Sequence, residues 1–470
     1  MNIQFLGAAG EVTGSCHLIS VNNFQILLEC GLVQGRPEDE ARNYQPFPFD
    51  PKKIDAVILS HSHIDHSGRL PLLHKRGFNG PVYTNPACAD LCQIMLQDAG
   101  HINEKDVQWE NKKRQRKNLS DLEPLYSVND ADAVLSQFVT FNYGKKYEIL
   151  PGVSVRFNDA GHILGSSIIE LWLTENDEQR KLVFSGDLGH KNSPIVRDPS
   201  IIHDADLVIM ESTYGDRLHR SQKETEIELQ NIIEEAYRNK GNILIPSFAV
   251  GRSQDLIYLF SKFYDEWHIQ NWQIFLDSPM AIKATAVYAQ HSHLYDDDMI
   301  KLLAEKQQTL LPNLHFLHEA ADSMKLNNIA SGAIIIAGSG MCTGGRIRHH
   351  IKHHAWKKNH HIVIVGFQVE GTTGRALVDG KTQLNILGET INVQAKVHTI
   401  GGLSAHADQA GLIEWYGQFK NHPPLVLVHG ETHAMAELAM VLNNRYSAII
   451  KQAAMGESLD LLQFPAQIAS

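Results

Sequence analysis

Residues 55–68 read Asp-Ala-Val-Ile-Leu-Ser-His-Ser-His-Ile-Asp-His-Ser-Gly. The run from Ala56 to Leu59 is short and apolar, as is typical of a strand buried on both faces. Four side chains that can bind a metal follow it within seven residues: His61, His63, Asp65 and His66. Imidazole nitrogen and carboxylate oxygen atoms are preferred zinc ligands. The pattern therefore predicts a metal-binding turn at the end of a buried strand.

The spacing within this turn indicates how the ligands divide. His61 and His63 are two residues apart, so in an extended turn both rings can point the same way and hold one ion. Asp65 and His66 are adjacent and can turn towards a second ion. A polar surface loop with accidental histidines is the alternative, but such a loop rarely collects four ligands directly after a buried strand.

Length, charge and cysteine content restrict the class of protein. A chain of 470 residues with 43% hydrophobic residues suits two domains. The net charge of -11 does not favour a general nucleic-acid binder, so a polyanion would have to be held by local cations or metal ions. Five cysteines in such a chain favour reduced thiols and a cytoplasmic location. We find neither a signal peptide nor an apolar run long enough for a membrane span, and we expect no membrane partner.

The pattern of predicted strands and helices changes twice along the chain. Short strands with glycine turns fill the first part, and three further turns carry polar side chains at strand ends: His162, Asp187 and Glu211. From about residue 216, strands alternate with helices, which predicts a parallel sheet. Short strands resume near Asp379 and lead to His429. We therefore predict a first domain, residues 1–213 and 388–470, interrupted by a second domain, residues 214–387.

One charged segment allows two interpretations. The apolar spacing from Ala87 to Asp98 predicts a helix, and residues 101–123 that follow are highly charged. A basic arm that contacts RNA is one interpretation of the Lys112–Lys117 run. A solvated helix face or loop is the favoured one.

Several separate motifs resemble those of a known family. The His-x-His-x-Asp-His turn, Ala-Gly-His at 160–162, Ser-Gly-Asp at 185–187 and Val-His-Gly-Glu at 428–431 resemble the metallo-β-lactamase fold. Glu-Ser-Thr-Tyr-Gly at 211–215, Ser-Ala-His-Ala-Asp at 404–408 and the glycine-rich segments at 248–252 and 339–346 resemble its β-CASP nuclease branch. The resemblance implies an α/β fold: a metallo-β-lactamase αββα sandwich with an inserted parallel-sheet α/β (β-CASP) domain.

The resemblance also implies which residues hold two Zn²⁺ ions. His61, His63 and His162 would bind the first ion, whereas Asp65, His66 and His429 would bind the second. Asp187 would bridge both. Glu29 stands where the family usually has aspartate, and it would support the metal loop without being a ligand. DNA-acting members of the family typically lack a histidine at the position of His429, so its presence favours RNA.

We expect the catalytic residues to be His406, Glu211 and Asp187. A phosphodiester is hydrolysed readily when two metal ions activate water and hold the phosphate oxygens. The leaving oxygen then needs a proton, for which His406 is our candidate, with Glu211 orienting its ring. A structural hydrogen bond for His406 and a surface carboxylate for Glu211 are the alternatives.

Seven further residues are predicted to contact the substrate. Most lie in glycine-rich loops of the inserted domain, where backbone amides and guanidinium groups can hold phosphates without reading bases. The alternative for each is an ordinary turn residue. The set comprises Tyr214, Arg252, Ser339, Arg346, Thr372, Thr373 and Arg375.

The resulting hypothesis is a dizinc ribonuclease that cuts single-stranded RNA in a cleft between the two domains. It would act as an endonuclease, and a 5′-3′ exonuclease activity stays open. A DNA-processing nuclease of the same fold is the first alternative. A catalytically silent RNA-processing scaffold is the second, and the presence of every expected ligand disfavours it. The oligomeric state stays open, with a homodimer as one option.

Overall fold

The structure is a computed structural model that describes residues 1–307, 310–366 and 368–463, so the end of the predicted segment 388–470 lies partly outside the described residues. In that part of the chain the strands, in chain order, are β1 (Asn2–Phe5), β2 (His17–Val21), β3 (Phe24–Leu28), β4 (Ala56–Ile58), β5 (Val82–Thr84), β6 (Phe138–Thr140), β7 (Lys146–Leu150), β8 (Val153–Asp159), β9 (Ser167–Glu175), β10 (Glu178–Phe184), β11 (Leu207–Glu211), β12 (Ile243–Pro246), β13 (Gln273–Leu276), β14 (Leu314–Phe316), β15 (Ala333–Ala337), β16 (His361–Ile364), β17 (Gln383–Ile386), β18 (Glu389–Asn392), β19 (Lys396–Thr399), β20 (Leu425–Val428), β21 (Ile450–Gln452) and β22 (Ser458–Asp460).

The helices alternate with these strands. They are α1 (Pro37–Glu40), α2 (Ile64–Ser67), α3 (Leu70–Lys75), α4 (Pro86–Gln115), α5 (Val128–Leu135), α6 (Gln222–Arg238), α7 (Arg252–Lys262), α8 (Pro279–Gln290), α9 (Asp297–Glu305), α10 (Ala320–Lys325), α11 (Ile347–His354), α12 (Thr373–Val378), α13 (Gln409–Tyr416) and α14 (Thr432–Tyr446). Short 3₁₀ turns span Ala41–Tyr44, Pro51–Lys53, Ile269–Asn271, Ser292–Leu294 and Leu326–Asn328. None of the described helices is long and apolar enough to cross a membrane.

The chain divides into two compact units. The first contains Met1–Ser193, Arg197–Leu218 and His406–Ser470, and the second contains Pro194–Val196 and His219–Ala405. The first unit holds two seven-stranded sheets, ordered β22-β1-β2-β3-β4-β5-β6 and β21-β20-β11-β10-β9-β8-β7. Both are mixed sheets, because antiparallel hairpins at one end give way to parallel pairs at the other.

The first unit is an αββα sandwich because its strands have apolar side chains on both faces. In β10, Leu182 and Phe184 enter the core between the two sheets, whereas Val183 points to the opposite face. There Val183 packs in a cluster that α13 and α14 complete. Helices α3, α4 and α5 cover the outer face of the other sheet in the same way. The predicted fold is thus confirmed.

The second unit contains a six-stranded parallel sheet, ordered β14-β13-β15-β12-β16-β19. The strands β12, β15 and β16 are buried throughout, and α11 and α12 pack on one face. The predicted first domain includes residues 388–470. The structure instead places β19 in the second unit, because Lys396–Thr399 pairs in parallel with His361–Ile364. The short β17–β18 hairpin had suggested an early return to the first domain.

Three strands of the second sheet in the first unit carry the candidate site. Strands β10, β11 and β20 are parallel neighbours, so their carboxyl ends lie at the same sheet edge. Asp187 follows β10, Glu211 ends β11 and His429 follows β20 directly. The sheet topology therefore brings together side chains that are more than 200 residues apart in the chain.

Candidate metal centre

The 61–66 turn is fixed from behind by a buried carboxylate. Glu29 accepts a hydrogen bond from the backbone N–H of Ser60 at 2.6 Å through Oε1. Its Oε2 accepts one from Nδ1–H of His66 at 2.8 Å. The His66 ring is therefore held with its other nitrogen, Nε2, directed away from Glu29. This is the usual way in which a carboxylate orients a metal-binding histidine, and it agrees with the supporting role expected for Glu29.

A first group of ligand atoms comes from the turn and from two strand ends. Nδ1 of His63 lies 3.1 Å from Nε2 of His61 and 3.1 Å from Nε2 of His162. Oδ2 of Asp187 lies 3.3 Å from the His61 nitrogen and 3.5 Å from the His162 nitrogen. All four atoms lie within 4.8 Å of one another. The structure therefore brings together the residues predicted for the first ion.

A second group lies beside the first. Nε2 of His66 and Nε2 of His429 are 3.0 Å apart. Oδ2 of Asp65 lies 3.4 Å from the His429 nitrogen and 3.8 Å from the His66 nitrogen. The three ligand atoms lie within 4.8 Å of one another, as the sequence analysis expected for the second ion.

Asp187 lies between the two groups and presents one oxygen to each. Its Oδ2 faces His61 and His162, and its Oδ1 lies 3.3 Å from Nε2 of His66. Oδ1 is buried and has no hydrogen-bond partner. Burial opposes ionisation of this carboxyl, but the surrounding imidazoles of His429, His66 and His61 hold its pKa well below its usual range. A buried, ionised oxygen without a donor is costly unless a cation satisfies it.

The donor set fits zinc. Nitrogen ligands about 2.0–2.1 Å from a tetrahedral zinc ion lie about 3.3 Å from one another, close to the distances measured here between imidazole nitrogens. Burial lowers the pKa of His61 to about 3 and that of His63 to about 4. Both rings are therefore neutral at pH 7 and keep a lone pair for a metal.

His406 and Glu211 form a pair at the edge of this centre. Nδ1 of His406 lies 3.2 Å from both carboxylate oxygens of Glu211 and 3.8 Å from Oδ2 of Asp187. Glu211 is buried and also accepts the backbone N–H of Leu188 at 2.7 Å. Burial opposes protonation of His406, but the charges of Glu211 and Asp187 outweigh it and raise the pKa to about 9.

Two residues of the site were missed by the sequence analysis. Thr213 Oγ1 accepts the Nδ1–H of His429 at 3.0 Å and donates to its carbonyl oxygen at 3.1 Å. Ser60 Oγ donates to Glu29 and accepts from Nδ1–H of His61 at 2.9 Å. Because each hydroxyl binds Nδ1 of its ring, Nε2 of His61 and Nε2 of His429 keep a lone pair for a metal ion. Their positions beside Glu211 and His61 in the sequence are the only signal that could have indicated them.

The predicted substrate-contacting residues are divided between the units. Tyr214 lies in the first unit, with its ring centroid 6.0 Å from that of His406. The other six lie in the second unit. The guanidinium of Arg346 donates to Asp277 at 2.7 Å and to the carbonyl oxygens of Leu317 and His318.

Four of the remaining five have hydrogen-bond partners within their own loops and helices. Arg252 is buried and donates to Asp255 at 3.3 Å, and Arg375 donates to Asp379 at 2.8 Å. Ser339 Oγ accepts the backbone N–H groups of Thr343 and Gly344. Thr372 caps α12, of which Thr373 is the first residue. These contacts do not test their role in substrate binding, which stays a prediction.

Three family descriptions match consecutive parts of the chain. A metallo-β-lactamase superfamily domain matches residues 18–213, a β-CASP domain matches residues 253–377, and a Zn-dependent metallo-hydrolase RNA specificity domain matches residues 390–451. Together they cover parts of both units, and the boundaries at residues 213, 377 and 390 lie near the two changes noted in the sequence.

Individual relatives agree with these matches. Ribonuclease TTHA0252 of Thermus thermophilus is 37% identical over 94% of this chain and 96% of its own length. The transcription termination factor FttA of Methanosarcina mazei is 30% identical over 93% of this chain and 68% of its own. A protein of unknown function from Enterococcus faecalis, 13% identical with a TM-score of 0.54, covers 97% of this chain and 99% of its own, and shows the fold alone. The chain therefore belongs to the metallo-β-lactamase superfamily, in its β-CASP branch, and is a metal-binding hydrolase.

Proposed function

We propose that this protein is a dizinc ribonuclease that hydrolyses phosphodiester bonds of single-stranded RNA. The observation that carries the proposal is Asp187, which presents one oxygen to each of two adjacent ligand groups. The name of the Thermus thermophilus relative supports RNA as the substrate. The match to an RNA specificity domain over residues 390–451 supports it too.

In this proposal His61, His63 and His162 hold one ion, Asp65, His66 and His429 hold the other, and Asp187 contacts both. When bound, two zinc ions supply Lewis acidity towards phosphate oxygens and lower the pKa of water. The protein contributes the fixed arrangement of its ligands. Glu29, Ser60 and Thr213 keep three imidazoles in the tautomers that leave the ligand nitrogens unprotonated.

His406 is proposed to protonate the leaving oxygen. Because Glu211 receives Nδ1–H of the ring, the proton on the opposite nitrogen, Nε2, is the one available to the substrate. Glu211 acts as the positioning residue, since its carboxylate is itself fixed by backbone N–H donors. Such a general acid contributes about 10²–10⁴-fold in rate.

Tyr214 is proposed to contact the RNA beside His406, where its ring offers a face for a base. The predicted residues of the second unit are proposed to contribute to substrate binding in two different ways. Thr373 and Arg375, at the start of α12, would contact phosphates. Arg346 would act by holding its loop, because its guanidinium already donates to three acceptors.

The test uses oligonucleotides of one sequence, made as RNA and as DNA, each with a free and with a blocked 5′ end. Cleavage is followed together with the zinc content of the same sample. We expect cleavage of RNA, about two zinc ions bound to the first unit, and no comparable cleavage of DNA. Cleavage of blocked RNA would identify the endonuclease mode.

Asp187→Ala is the matched control for this experiment, since it removes the shared ligand. We expect it to lose cleavage and about two of the zinc ions that the wild type binds. Cleavage of DNA alone would refute the RNA assignment. A zinc content well below two in a correctly folded sample without activity would instead favour the scaffold alternative.

A further inference from the structure

A second group of metal-binding side chains lies in the second unit, outside the site described above. Glu235, His361 and His398 each offer one ligand atom, and these atoms lie within 4.8 Å of one another. Glu235 is in α6, His361 begins β16 and His398 is in β19. All three therefore belong to one unit, and none takes part in the proposed cleavage reaction.

The sheet register explains why these residues meet. Strands β16 and β19 are parallel neighbours in which His361 pairs with Lys396 and Val363 pairs with His398. Residues two apart in a strand point to the same face of the sheet. His361, Lys396 and His398 therefore share one face, and the Glu235 carboxylate of α6 meets Lys396 there.

The contacts within the group leave room for a cation. Nδ1 of His361 and Nε2 of His398 lie 2.9 Å apart, so in the absence of an ion one nitrogen donates an N–H to the lone pair of the other. A metal ion bound by both lone pairs would take the place of that proton. Lys396 Nζ donates to both oxygens of Glu235, at 3.0 and 2.8 Å. An ionised carboxylate has about four lone-pair sites, so Glu235 can keep Lys396 and still bind an ion.

The group is also accessible. A cavity of about 550 Å³ lies along α6, and Glu235, Lys396 and His398 form part of its lining. The side chain of Glu235 is 32% exposed, whereas His361 is buried behind it. An ion at this place would therefore reach its ligands from the cavity, where water can complete its coordination.

We propose that Glu235, His361 and His398 form a further zinc site, in which the ion replaces the proton between the two imidazoles. Two imidazoles and one carboxylate, with an open fourth position, are a donor set that zinc accepts. The site depends only on residues of the second unit, so it exists whether or not the proposed ribonuclease activity is correct.

The test compares zinc content after equilibrium dialysis at micromolar free zinc, measured by elemental analysis of the full chain. The His398→Gln variant removes one ligand, and His349→Gln, an exposed histidine in α11 of the same unit, is its control. We expect the wild type and H349Q to bind one zinc equivalent more than H398Q. This difference is independent of how many ions the first unit holds.

Glu235→Gln gives a second measurement with a partly exposed residue. We expect it to weaken binding of the additional equivalent at least tenfold, while circular dichroism and RNA cleavage stay unchanged. Should H398Q fail to fold, E235Q decides the question. Equal zinc content in the wild type and H398Q, or unchanged affinity in E235Q, would show that the imidazoles merely share a proton and would overturn the proposal.

Discussion

Asp187 illustrates how a single buried residue can require a metal. One carboxylate oxygen lies within 3.8 Å of three imidazole nitrogens, and the other is buried without a hydrogen-bond partner. A buried unsatisfied carboxylate costs on the order of several kcal/mol, which supports the proposed role of Asp187 as a ligand of bound cations.

The role of His406 as proposed proton donor can be tested at the same scale. We expect His406→Ala to keep its zinc content and to lose about 10²–10⁴-fold in cleavage rate, because the leaving oxygen is then protonated only by water. In the wild type, the rate should fall as the pH rises past the pKa of His406, because the ring then loses its proton. Carboxylates raise this pKa to about 9, and bound cations would lower it again.

Steady-state cleavage across a pH series, with zinc measured in each sample, checks both expectations. His349→Gln serves as the unrelated histidine control. An H406A variant with normal turnover, or one that retains the alkaline decline of the wild type, would remove His406 from the proton-donor role.

At the scale of elements, the site depends on loops that touch at glycines. A Cβ atom on Gly189 would lie 1.7 Å from the carbonyl oxygen of Gly161 and 2.8 Å from the backbone nitrogen of His162. The loop after β10, which carries Asp187, therefore packs directly on the loop after β8, which carries His162. Only glycine permits this approach.

We expect Gly189→Ala to lower zinc affinity and cleavage together, because the 161–162 backbone must move and His162 moves with it relative to Asp187. Gly344→Ala is the matched control, since a Cβ there meets no atom within 4 Å. Zinc titration of both variants is the measurement. Wild-type affinity in G189A would mean that the two loops do not set the ligand geometry.

Helix α4 could be predicted from the sequence only over its first half. Apolar spacing predicted a helix from Ala87 to Asp98, but α4 continues to Gln115. Its buried side chains all precede residue 101, whereas Ile102 and Trp109 are exposed. Without a buried face, the second half lacks the apolar period that reveals a helix. The basic run Lys112–Lys117 lies partly on this solvent-exposed half of α4, as the favoured interpretation predicts. There Lys113 packs over the Trp109 ring.

At the scale of the whole molecule, the predicted ligands, from residue 61 to residue 429, meet in two adjacent groups of the first unit. An ion that binds only the folded chain stabilises it, by about 4 kcal/mol when the free ion exceeds its dissociation constant a thousandfold. We therefore expect dialysis against a chelator to lower the melting temperature, and added zinc to restore it. Differential scanning calorimetry measures this, with Asp187→Ala as the control that should respond little. If the chelator left the melting temperature of the wild type unchanged, the ions would not stabilise the folded chain.

The sequence by itself determined the local parts of this protein. It indicated the predicted ligand turn after β4 and the polar strand ends at His162, Asp187, Glu211 and His429, because strand periodicity and ligand spacing are local properties. The fold class followed from the resemblance of several motifs to a known family. Only the tertiary structure decided the parts that depend on contacts between distant residues. These include the hydroxyl of Thr213 on His429, β19 as a strand of the second unit, and the meeting of Glu235, His361 and His398. Such contacts follow from sheet register and helix packing, which set distances that no local pattern encodes.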